Sequence, residues 1–109
     1  MTNLRAAVVS LLIPLLLLTV GFAVTARADD ARGRQLLNAL GCKGCHSFEG
    51  SGGSIGPALD GIGKRLTAAA IKAQLLHPKK NNPNSMMPGY GYLPPADLAA
   101  VAAFLAGRK

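Results

Sequence analysis

Both cysteines of the chain fall in one pentapeptide, Cys42-Lys43-Gly44-Cys45-His46, with a histidine directly behind the second thiol. That spacing supports three chemistries: a dithiol–disulfide couple, part of a zinc site, or a covalent tether for haem. Each makes a different demand on the rest of the chain. A thiol exchanger carries its cysteine pair at the start of a helix within a strand–helix pattern, and no strand-like run precedes Leu40. A purely structural disulfide here would close a very small loop and constrain little. Structural zinc needs four ligands; beyond these three, the chain offers only His77 and no further cysteine.

Haem attachment asks for different things, and the chain has them. Two thiols three positions apart can form thioethers to the two vinyl groups on one porphyrin edge, which brings the next residue, His46, under the ring. A second axial ligand must then come from far along the chain. Met86 and Met87, in "NSMMPGY", are the only methionines after the initiator. Either could simply fill the core, but two of them interrupt a polar loop, so at least one is expected to bind iron. A thioether opposite an imidazole raises the reduction potential. A metal-bound histidine also donates its other ring N–H to a fixed acceptor. Pro57, eleven residues beyond His46 in the glycine-rich "IGPAL" loop, is placed to offer its carbonyl; the alternative is an ordinary Gly-Pro turn.

Export fits this chemistry. Ala6 to Ala26 is an uncharged apolar run of 21 residues, preceded by Arg5 and closed by the small-residue pattern Ala26-Arg27-Ala28. Residues 1–28 are therefore predicted to be a signal peptide cut after Ala28. The alternative is an uncleaved membrane anchor, since such a run is about long enough to cross a bilayer. Either way the remainder is predicted to reach the periplasm. That remainder, residues 29–109, has 81 residues, with ten basic side chains against five acidic ones and a formal charge of +5. It holds two Phe and no Trp. So small a domain with so few large apolar side chains leans on something besides its own core.

Three segments read as helices. Asp30 to Leu40 has a Leu36, Leu37, Leu40 stripe, with Asp29 or Asp30 to cap it and Gly41 to stop it. A second follows Thr67 as N-cap and ends before Pro78. Ala96 to Ala106 carries Leu98, Val101, Ala102 and Leu105 on one face and ends at Gly107. Between them lie a loop with six glycines, Glu49 to Gly63, and a loop rich in Pro and Asn, Lys79 to Pro95. A loop that long in a small domain is usually functional or wrapped around something. The class is all-α with long loops.

In order and spacing, Gly33, "CKGCH", "GPAL", "MMP" and "LAAVAAFLA" resemble class I c-type cytochromes, the small bacterial single-haem members in particular; the resemblance spans Ala31 to Ala106. It implies a cytochrome c-like fold, three main helices and long loops around one covalent haem c. It implies thioethers at Cys42 and Cys45, His46 as proximal ligand and Pro57 as its acceptor. The distal methionine of such proteins usually precedes a proline, which favours Met87 over Met86. Gly33 and Phe104 match the positions where the terminal helices cross, and Arg65 weakly matches a basic partner for a haem propionate. The haem would give Leu36, Leu37, Ile55, Leu59, Ile71, Leu75 and Leu93 a plane to pack on.

The function expected is a one-electron carrier, not an enzyme, because two filled axial sites leave iron no position for substrate. The alternatives are a haem subunit of a larger periplasmic or membrane-bound oxidoreductase, and a haem enzyme or gas sensor with open iron. Lys43, Lys64, Arg65, Lys72, Lys79 and Lys80 would dock a redox partner with an acidic surface. An exported chain with 5% aromatic residues is not expected to bind nucleic acid. His77 is expected to cap its helix rather than ligate iron.

Overall fold

The computed structural model describes Asn3, Arg5, Val8 and residues 29–109. The predicted signal or anchor segment otherwise lies outside the described residues. Among those described, no helix is long and apolar enough to cross a membrane.

Among residues 29–109 three helical segments carry the fold. The first, α1, includes residues 29–39. Gly41 follows it with φ 73°, in the left-handed region that favours glycine. Asp29 and Asp30, expected to cap this helix, lie inside it. The Asp30 carboxylate pairs instead with Arg108 near the C-terminus, because α1 and the end of the chain meet in space.

Helix α2, Ala68–Leu76, is capped by Thr67, whose hydroxyl accepts from the Ala70 N–H at 3.2 Å. It closes at His77, whose N–H donates to the Ala73 carbonyl, as the capping expectation required. Helix α3, Pro95–Ala106, begins one residue earlier than predicted, since proline needs no N–H donor in a first turn. Asp97 lies in that turn and receives both Nε and Nη2 of Arg32 at 2.9 and 2.8 Å, tying α1 to α3.

The all-α reading needs one amendment. Ser47–Phe48 (β1) pairs antiparallel with Ser51–Gly52 (β2). Each strand has two residues, too short for any alternation to be visible in sequence.

The core sits where α3 meets the other elements. Helix α2 packs on α3, as does a short 3-10 turn at Ile62–Lys64. All four predicted stripe residues of α3 are buried, with Phe104 and Ala100 beside them. Phe104 meets Phe48 edge to face, centroids 6.0 Å apart, an arrangement aromatic pairs favour. At the α1–α3 contact a Cβ on Gly33 would lie 2.6 Å from the Ala100 carbonyl and closer still to the Phe104 Cβ. Only glycine permits that approach. Of the side chains predicted to face the haem, Leu36, Leu37, Leu59, Ile71 and Leu75 are buried and Leu93 packs partly on the core. Ile55 is 69% exposed, in a loop that lays its backbone against the cysteine motif.

Candidate functional site

The site begins as a tight turn. Cys42–Gly44 forms one 3-10 turn, and the N–H groups of Cys45 and His46 both donate to the Cys42 carbonyl, at 3.3 and 3.0 Å. This folding back brings the backbones of the two cysteines and the histidine into one turn. Cys42 and Cys45 are free and partly buried.

Burial pushes the Cys42 thiol above its ordinary value, partly offset by a hydrogen bond with Tyr90. The buried Tyr90 hydroxyl is itself pushed up to about 12, first by burial and then by Cys42. A thiol poised for disulfide exchange is held low, as a thiolate. Cys42 is held the other way, which disfavours the exchange chemistry.

The glycine-rich loop then wraps the turn. Gly53 N–H donates to the Lys43 carbonyl at 2.9 Å and Gly56 N–H to the Cys45 carbonyl at 2.8 Å. Just beyond, Leu59 N–H donates to the Ser47 carbonyl. Pro57 follows with its carbonyl oxygen 2.7 Å from Nδ1 of His46. A carbonyl only accepts, so Nδ1 carries a proton, which leaves Nε2 as the nitrogen that a metal would take. The donor set is thus two thiols and an imidazole whose Nδ1 is engaged by a carbonyl, which fits a tethered haem. Among the described residues no cluster of three or more His, Cys, Asp or Glu is arranged for a metal ion, and the zinc alternative gains no fourth ligand.

The methionines separate clearly. Met86 is 74% exposed. Met87 is partly buried against the core, with its N–H donating to Ser85 Oγ at 3.2 Å and its sulfur 4.0 Å from Gln74 Nε2. Arg65 is exposed and donates from Nη2 to the Ala58 carbonyl at 3.1 Å, which puts it beside the Pro57 loop. His77 lines an open cavity shared with Lys79, Lys80, Met86 and Met87.

Arg34 went unnoticed in the sequence. It lies over the Phe48 and Phe104 rings, 5.6 and 5.2 Å from their centroids, and its two Nη atoms each donate to Glu49 at 2.8 Å. It thereby fixes the hairpin that follows His46. Glu49 is held at φ 51°, unusual for a residue with a side chain. An Arg–Glu separation of fifteen carries no local signal, so only the fold reveals the pair.

Residues 31–109 match the family model for cytochrome c. The cytochrome c oxidase subunit 2 of Alkalihalophilus pseudofirmus is 29% identical over 86 residues, an alignment covering 72% of this chain and 25% of that protein. The chain thus spans about a quarter of the length of that relative. No solved structure matches.

Proposed function

The chain belongs to the cytochrome c family, which implies a haem c cofactor and haem-based electron transfer, and from that premise we propose a periplasmic one-electron carrier with His46 and Met87 as axial ligands. The observation that carries the reading is the His46 ring, donating from Nδ1 to the Pro57 carbonyl directly after a turn that holds two unpaired thiols. The bound haem supplies a one-electron iron couple.

The chain's own residues do the rest. Cys42 and Cys45 tether the macrocycle. Pro57 orients His46 and raises its basicity as a ligand. Met87, turned toward the core where Met86 is turned out, is the better placed thioether. Arg65, held at the Ala58 carbonyl, would be the candidate basic partner for a haem propionate. A haem held by both His46 and Met87 would supply one-electron chemistry and offer iron no position for a substrate.

The surface suits an acidic partner. Among the described residues Arg32, Arg34 and Arg108 neutralise Asp97, Glu49 and Asp30. Lys64, Arg65, Lys72, Lys79 and Lys80 are exposed, on a stretch from 61 to 96 that holds no acidic residue. Lys43, counted in the sequence reading as a docking residue, is instead partly buried and held by Ser51 and the Phe48 ring.

The test is a reversible one-electron titration combined with carbon monoxide exposure of the ferrous protein. Reversible cycling without rapid CO binding is expected. Rapid CO binding would mean an open iron site and a different function. The oxidase-subunit relative supports a second reading, a haem c subunit of a larger oxidoreductase complex. Co-elution with a large partner on size exclusion of a native extract would favour that reading; elution as a small protein favours the free carrier.

A further inference from the structure

The imidazole of His46 lies flat against the backbone of Gly56. A Cβ built on Gly56 would sit 2.6 Å from Nδ1 and 2.9 Å from Nε2, and closer still to Cε1. Three ring atoms would be struck together, so the ring presents its face, not its edge, to this residue. The neighbouring Pro57 carbonyl holds Nδ1 in the plane of the ring. One residue therefore limits the tilt of the plane, and the next limits its rotation.

We propose that Gly56 is a positioning residue that sets the plane of the His46 imidazole, and through it the direction of the Nε2 lone pair toward iron. This rests on His46 being an axial ligand. Glycine is required by contact and not by backbone conformation. The position is pinned from behind by the Gly56 N–H bond to the Cys45 carbonyl, so the loop cannot retreat without breaking it.

An alanine methyl would have to push the ring away by about 1 Å, the gap to the ~3.5 Å at which heavy atoms pack. If the loop moves instead, it carries the Pro57 carbonyl away from Nδ1. Both routes disturb the same ligand. Gly44 offers a contrast inside the same motif, because a Cβ there meets nothing within 4 Å. Gly33 offers another: its Cβ would collide with α3 and not with His46.

The experiment compares haem-loaded wild type with Gly56→Ala, Gly44→Ala and Gly33→Ala. The readout is the electron paramagnetic resonance spectrum of the ferric protein, which is sensitive to the orientation of axial imidazole. Gly56→Ala should shift the low-spin signal or lose part of it to high-spin iron. Gly44→Ala should leave the signal unchanged. Gly33→Ala should melt earlier yet keep the wild-type signal, separating lost stability from a moved ligand. An unmoved spectrum in Gly56→Ala would overturn the proposal.

Should Gly56→Ala fail to accumulate, ferrous wild type decides the matter. A nuclear Overhauser contact between the His46 ring Cε1–H and the Gly56 α-protons supports the proposal, and its absence overturns it. A wild-type protein lacking any imidazole-ligated low-spin signal would overturn the functional reading and this proposal with it. A normal wild-type signal with an indifferent Gly56→Ala overturns this proposal alone.

Discussion

At the scale of single residues the two adjacent methionines differ in exposure. Met87 is turned toward the core and Met86 toward solvent. Met87→Ala should abolish the long-wavelength thioether-to-iron band of the oxidised protein, and Met86→Ala should retain it; the reverse result would transfer the ligand to Met86. Spacing alone left this pair open, because adjacent residues reach the same region; the resemblance favoured Met87 through Pro88, and burial differs in the same direction.

The surface carboxylates make a second residue-scale prediction. Glu49 hydrogen-bonded to Arg34, and Asp97 to Arg32, are held below their ordinary values of 4.5 and 3.8. A lowered folded-state value means a contribution that is complete above the ordinary range and lost as pH falls through the lowered one. Thermal unfolding should therefore move to lower temperature below about pH 4, and less steeply in Arg34→Gln. Because these pairs are exposed, added salt should flatten the dependence. A melting temperature indifferent to pH in that window would remove both pairs from the account.

At the scale of elements, helix ends were legible because their chemistry is local. Thr67 before α2 and Gly41 after α1 each act within one turn. Thr67→Ala should cost about 1 kcal/mol in chemical denaturation. The hairpin at residues 47–52 was not legible, since two-residue strands leave no periodic trace and the turn is held by Arg34 from another element. The helix crossing was legible only through resemblance: nothing about an isolated Gly33 says what it touches. Gly33→Ala should cost about 1–3 kcal/mol, the range for overpacking a filled interface. A neutral result would mean that α1 and α3 can separate without loss.

At the scale of the whole molecule, composition points to a shortage of large apolar side chains. The core is built from leucines, Ile62, Ile71, Val101, Tyr90, two phenylalanines and alanines of α3. The missing apolar volume is what a haem would supply, so Cys42→Ser with Cys45→Ser should lack cooperative thermal unfolding by circular dichroism. A native helical signal that melts cooperatively would show the chain to be self-sufficient. Net charge was legible by counting, but its placement was not, because it took the fold to show which arginines are consumed by carboxylates and that Lys43 is tied down.

The central claim is covalent haem on Cys42 and Cys45. It is tested most directly by intact mass and a pyridine haemochrome spectrum on protein recovered from a bacterial periplasm. The account predicts one haem per chain that resists extraction, on a polypeptide beginning at Asp29. A chain at the bare polypeptide mass, with no haem or with haem that washes away, would contradict it.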